Sequence, residues 1–152
     1  KRLKGYASVG YGVAKSSDGA DVAKRELIYD GLTFSTSFHQ DLLSIKHSIV
    51  ISCQKVKHKY PPRLVSQLRD LTANGIEIVV HIKEQGFYEK DLGEFGIEVQ
   101  CYEDLSIQCA VIDKSVVWYG NVNFFGYNTE ENNVMRIVDS TIANELLDIL
   151  RK

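Results

Sequence analysis

The stretch QCAVIDKSVVWYGNVNF, Gln108 to Phe124, decides the reading of this chain. A short apolar run ends at Asp113, a polar break follows at Lys114, and a second apolar run leads to Gly120 and a Gly-Asn-x-Asn turn. Two β-rich runs joined by so tight a link predict two antiparallel strands in a hairpin.

Working outward, the same logic places the other elements. After YDGLTF a helix is expected, with Ser35, Thr36 or Ser37 as its cap and Phe38, Leu42 and Ile45 on its apolar face. SIVISC (48–53) is short and β-branched, the mark of a buried strand. Pro61 and Pro62 open a second helix whose face is Leu64, Val65, Leu68 and Leu71, and Asn74-Gly75 closes it. IEIVVHI (76–82) is a strand, a short helix around 88–95 stops at Gly96, and IEVQCY (97–102) is a further strand. NVMRIV (133–138) is the last strand. A C-terminal helix from about Ser140 is expected to bury Ile142, Leu146, Ile149 and Leu150. Strands separated by helices pair in parallel through right-handed crossovers, and the hairpin adds antiparallel strands. The expected fold is α/β, a mixed sheet with helices on both faces. Residues 1–30, Gly- and Ser-rich at the start, read as an irregular lead-in or linker, and 31–152 as the domain.

Composition bounds the function. The chain has 152 residues, 44% hydrophobic and 25% charged, with a net charge of −2. One domain of this length buries roughly 70% of its unfolded surface. The balance offers no global attraction to nucleic acid or an acidic membrane. Cys53, Cys101 and Cys109 show no C-x-x-C, which favours a reducing, cytoplasmic setting over a disulfide framework. No apolar run reaches the roughly 18 residues of a membrane span. The first residue is Lys1, so the chain is expected to be a piece of a longer protein.

The element order, the opening SFHQDLLSIKHSIVIS, the segment LRDLTANGIEIVVHI and above all the 108–124 stretch resemble the phospholipase D-like superfamily, from about Gly31 to Leu150. The family motif reads His-x-Lys-x4-Asp-x6-Gly-Ser-x-Asn. Aligned on Asp113, its histidine falls on Ser106, its lysine on Gln108, its glycine on Gly120, its serine on Asn121 and its asparagine on Asn123. Asp113, Gly120 and Asn123 match; Ser106, Gln108 and Asn121 depart. In the family the histidine attacks phosphorus covalently and the lysine neutralises the phosphoryl oxygens. Two motif copies meet across a pseudo-twofold, so the single copy here implies a homodimer or a second half elsewhere. The departures lead to the expectation of a vestigial site and no enzyme activity, with Asp113 serving the hairpin turn.

CAVIDKSVVWYGNVNFFGYNTEENNVMRIVDSTIANELL resembles the phospholipase D-like domain at the C-terminus of bacterial DEAD/DEAH-type superfamily 2 helicases. That resemblance implies an accessory domain of an ATP-dependent motor on DNA or RNA. ATP and Mg would belong to the parent motor; no Walker loop occurs here and no cofactor is expected. The most basic stretch, KVKHKYPPR, offers Lys55, Lys57, Lys59, Tyr60 and Arg63 as nucleic-acid contacts, against a solvated loop as the plainer reading. Two other readings compete: an active phospholipase D-family nuclease or phosphodiesterase with a rearranged site using Ser106 or His81, and a protein-interaction module.

The remaining residues read more plainly. No histidine or cysteine has metal-ligand spacing. His39 and His47 are expected at the surface, His81 as a partly buried structural residue, and Cys101 and Cys109 as small core residues. Trp118 and Tyr119 read as packing, Arg136 as a cation turning toward a carboxylate or a site, and Glu130-Glu131 as a loop feature.

Overall fold

The computed structural model describes residues 27–54, 56, 62–85 and 89–150. It has seven strands and four helices in the order β1 (Leu27–Asp30), α1 (Phe34–Leu43), β2 (Ser48–Cys53), α2 (Pro62–Ala73), β3 (Glu77–Ile82), α3 (Glu89–Glu94), β4 (Glu98–Cys101), β5 (Cys109–Ile112), β6 (Val116–Gly120), β7 (Asn133–Val138) and α4 (Ser140–Leu150). They form one mixed sheet in the order β1-β7-β6-β5-β2-β3-β4. β2, β3 and β4 run parallel through the α2 and α3 crossovers, while β5, β6 and β7 form an antiparallel meander. The α/β expectation holds. Among the described residues no helix is long and apolar enough to cross a membrane.

Period-two alternation divides the sheet into two cores. Ile49, Ile51, Val80, Ile82 and Trp118 face a large core that also holds Phe34, Phe38, Leu42, Leu64, Leu68 and Leu92 from the first three helices. Cys109, Val111 and Val117 face the other way and meet Ala143, Leu146, Leu147 and Leu150 of α4. The α4 face thus runs 143–146–147–150, and the expected Ile142 and Ile149 are exposed at 37% and 49%. Ala143 and Leu147 take the buried places expected of Ile142 and Ile149.

Local chemistry ends the helices where expected. Gly75 and Gly96 adopt φ of +86° and +87°. Ile76 N–H and Ile97 N–H then reach back to the carbonyls of Leu71 and Leu92, closing α2 and α3 with left-handed glycine caps. α1 differs. It starts at Phe34, and Thr33 at its N-cap makes no side-chain cap bond. Asp30 instead accepts the N–H groups of Leu32 and Thr33 with one carboxylate oxygen, at 2.8 and 2.9 Å.

The expected boundary at residue 30 falls inside the sheet. Leu27–Asp30 pairs antiparallel with β7, from Leu27 opposite Arg136 to Asp30 opposite Asn133. Residues 1–26 lie outside the described residues.

α1 is fastened to the meander by one ion pair. Asp41 accepts Arg136 Nε at 2.7 Å, Arg136 Nη2 at 2.9 Å and Trp118 Nε1 at 2.8 Å. Arg136 does turn toward a carboxylate, and Asp41 raises its pKa while burial opposes the shift. Trp118 is fully buried, within 5.3 Å of the Tyr29 ring and 5.5 Å of the Phe38 ring, centroid to centroid. Tyr119, on the opposite face, is 42% exposed.

Candidate functional site: the end of the sheet where β2 and β3 finish

Strand directions bring the chemistry to one end. β2, β3, β4 and β6 all finish there, β5 and β7 start there, and β1 arrives there. Ser106 and Gln108 lie in the approach to β5, and Gly120, Asn121 and Asn123 leave β6. Open α/β sheets commonly place ligands beyond the carboxyl ends of parallel strands.

Of the six motif positions, five lie at this end. Gly120 N–H donates to the Gln108 carbonyl at 3.3 Å, so the β5 and β6 positions are neighbours. Gly120 also needs to be glycine. A Cβ there would stand 2.1 Å from the Asn133 carbonyl oxygen and 2.6 Å from the Val134 Cα. Asn121 Oδ1 accepts the Asn133 N–H at 2.7 Å. Asn123 accepts the Phe125 N–H through its Oδ1 at 3.3 Å. Asn128 braces the same loop from both amide atoms, accepting from Asn123 N–H at 2.8 Å and donating to the Asn123 carbonyl at 3.1 Å.

The sixth position lies at the opposite end. Asp113 and Lys114 form the two-residue link of the β5–β6 hairpin with φ of 52° and 57°, the left-handed pair of a type I′ turn. The Asp113 carboxylate accepts backbone N–H groups from Lys46, His47 and Ser48 at 2.8–3.0 Å. Burial works to raise its pKa, but these three donors outweigh it and hold the group below its ordinary value. Asp113 therefore ties the hairpin to the start of β2. The length of β5 separates it from Ser106 and Gln108, so spacing in sequence overstated its closeness to them.

Ser106, exposed, and Gln108 line a cleft of about 180 Å3 with Gln54 and Lys83. Lys83 follows β3 directly, and its N–H donates to the Gln54 carbonyl at 3.0 Å. It puts a cation in the cleft that Gln108 lines with a neutral amide. Sequence reasoning missed Lys83 because no motif spacing links it to Gln108. Its position after an apolar strand was the only available signal. Ser52 Oγ donates to the Ile107 carbonyl and steadies the wall of this cleft.

The basic stretch falls mostly outside the described residues: this holds for Lys55, Lys57, Lys59 and Tyr60. Arg63 is described, exposed, in the first turn of α2 at the same end. It lines a second cleft, of about 320 Å3, with Leu32, Phe34, Phe38, His39, Phe124 and Tyr127.

His39 corrects an expectation, since it is buried rather than at the surface. It packs on Phe38 and its Nδ1 is hydrogen-bonded to Gln67 Oε1. Burial lowers its pKa; the Gln67 bond works against that, and Arg63 adds to the lowering. His47 is exposed, as expected.

His81 is buried and stacks against Tyr102 at 5.0 Å. It lines a third cleft, between the open face of β2–β4 and α4, and burial lowers its pKa against the pull of Glu98. Tyr102, on which His81 packs, also lines a small cleft with Ser106. Burial pushes the Cys109 thiol up to about 12, which removes it as a nucleophile at neutral pH.

This arrangement is a phospholipase D-like fold. No protein-family model matches the chain, and no curated protein does. Among solved structures it is similar to Nuc from Salmonella typhimurium, a phospholipase D family member. That match has a TM-score of 0.65 and 16% identity, covering 77% of this chain and 84% of Nuc. It is also similar to NucT from Helicobacter pylori, with a TM-score of 0.65 and 11% identity, covering 83% of this chain and 92% of NucT. A third is TrmBL2, an archaeal chromatin protein with a novel mode of DNA binding. Its TM-score is 0.62 at 12% identity, covering 85% of this chain and 51% of TrmBL2. These matches correct the expectation that the chain is no enzyme. Its fold is shared with Nuc, a phospholipase D family member.

Proposed function

We propose that this chain is an accessory phospholipase D-like domain of a larger ATP-dependent, helicase-type protein, and that its site end contacts the phosphates of DNA or RNA. The observation that carries this reading is the cleft shared by Lys83, Ser106 and Gln108. A cation, a hydroxyl and an amide are suited to phosphate oxygens. Arg63 extends positive charge along the same end, and the sequence joining Gln54 to Pro62 adds Lys55, Lys57, Lys59 and Tyr60. The likeness of the 109–147 segment to helicase C-terminal domains supports the parent context. The single motif copy supports pairing with a second copy.

Fluorescence anisotropy with labelled DNA and RNA tests the contact. Lys83→Ala is expected to weaken binding about three- to tenfold across sequences and to lower the salt slope by about 1. Unchanged affinity and slope would remove Lys83 from the contact surface, and wild-type protein that binds neither polymer would sink the reading.

Ser106 beside Lys83 favours a second reading, cleavage of a phosphodiester through a rearranged site. The Ser106 oxygen bonds to phosphorus while the bond from phosphorus to the leaving alcohol breaks, that alcohol takes up the serine proton, and Lys83 offsets the charge that develops. Turnover of bis(p-nitrophenyl) phosphate is then expected to fall about a hundredfold or more in Ser106→Ala. Absent wild-type turnover, or an equally active variant, would sink it.

A further inference from the structure

The larger cleft at the site end contains features that phosphate contact alone does not use. Tyr127 is 68% exposed and Leu32 60% exposed, both at its mouth. Large side chains left in water around a concave surface mark a place where something apolar docks. The floor is the edge of the main core: Phe34, Phe38 and Phe124 pack against one another with ring centroids 5.1–6.0 Å apart. Among the described residues that line it, Ser35 and Asn128 are polar and Arg63 brings a guanidinium. A flat aromatic guest with a neighbouring negative charge fits this combination.

The wall that carries Tyr127 is held in place. Asn128 bonds to Asn123 through both amide atoms, and Gly126 N–H donates to the Asn123 carbonyl at 3.2 Å. On the other side Gly31 lies against that wall so closely that a Cβ would stand 2.3 Å from the Thr129 carbonyl oxygen. Tyr127 therefore projects from a fixed turn, so little conformational entropy opposes stacking on its ring. Glu130 and Glu131, exposed and next along the chain from Thr129, repel phosphate at the Gly31 end. Arg63 is left as the anion position.

We propose that this cleft is a nucleobase subsite for single-stranded nucleic acid: one unpaired base stacks on Tyr127 over the Phe34–Phe124 floor while Arg63 holds an adjacent phosphate. The inference rests on the nucleic-acid reading above and adds the strandedness and the contact mode. In a duplex both faces of each base are covered by neighbours, so only an unpaired base can enter. Stacking is tolerant of sequence, since every base has a π-face.

Anisotropy titrations of the full chain with labelled oligo(dT), oligo(U), a duplex and an abasic backbone of equal length test this. Tyr127→Ala is expected to weaken oligo(dT) or oligo(U) binding by about fivefold or more, the lower end for loss of one stacked base. Tyr127→Phe should bind like wild type. The abasic backbone should not distinguish Tyr127→Ala from wild type, and Arg63→Ala should weaken both backbone and base-bearing strands. The tighter of oligo(dT) and oligo(U) identifies the sugar. Tyr127 is exposed, so a matching unfolding temperature confirms that the variant is folded. If wild type binds and Tyr127→Ala binds equally well, or if duplex binds as tightly as single strand, the subsite is refuted while phosphate contact stands. If wild type binds no nucleic acid, both fail.

Discussion

Asp41→Ala is expected to cost about 3 kcal/mol of folding stability, the low end for breaking a buried ion pair. The low end applies because the two side chains keep 10% and 17% of their exposure and so some hydration. Asp41 is the acceptor for three donors: two nitrogens of Arg136 and the indole N–H of Trp118. Its removal leaves a guanidinium and a fully buried indole N–H without their partner, and such groups cost more unpaired than their bonds contribute when made. Urea unfolding with an unchanged m value measures the loss. Replacing the pair together, Asp41→Leu with Arg136→Met, is expected to recover only the part owed to the stranded guanidinium, because the Trp118 indole N–H stays buried without its acceptor. A single variant within about 0.5 kcal/mol of wild type, the range of ordinary surface changes, would show that α1 is not held by this pair.

Gly120→Ala is expected to cost about 3 kcal/mol, the upper part of the range for overpacking. The obstacle is backbone: the added Cβ meets the Asn133 carbonyl oxygen and Val134 Cα, which side-chain rotation cannot relieve. For a chain of this size the melting temperature should fall by about 6–12 °C. The disturbance reaches the site, because Gly120 N–H is bonded to the Gln108 carbonyl. Gly93→Ala is the control. Nothing lies within 4 Å of the position a Cβ would take there, and Gly93 sits within α3, so a gain of about 0.5–1 kcal/mol is expected. A Gly120→Ala protein that melts with wild type would mean that β6 and β7 can part at no cost.

Much of this fold was legible because its determinants are local. The Asp113-Lys114 turn, the glycine caps at 75 and 96 and the β-branched strands each show their geometry within a few residues. What was not legible depends on partners remote in sequence. LIYD is too short to read as a strand alone, and becomes one because β7 offers a free edge. The face of α4 was misjudged because its rotation is set by the remote strand residues it packs on, Cys109, Val111 and Val117. Arg136 was expected to find a carboxylate, but nothing in the sequence pointed to Asp41, 95 residues away. In the site, one backbone bond makes Gln108 a neighbour of Gly120. The motif could not supply Lys83, which arrives from another strand, nor show that Asp113 sits at the far end of β5.

The position of β1 has a consequence for assembly. It is the first described strand, yet it covers the flank of the sheet next to β7, a strand from late in the chain. Among the described residues its four positions pair in one ladder; Leu27 and Ile28 are exposed, and Tyr29 is the apolar side chain of the strand that packs on the core, against Trp118. Opening this strand leaves the main sheet intact but bares the unpaired amides and carbonyls of β7, a template for the equivalent strand of another copy. Strand exchange through β1 would join two chains without a new interface having to evolve.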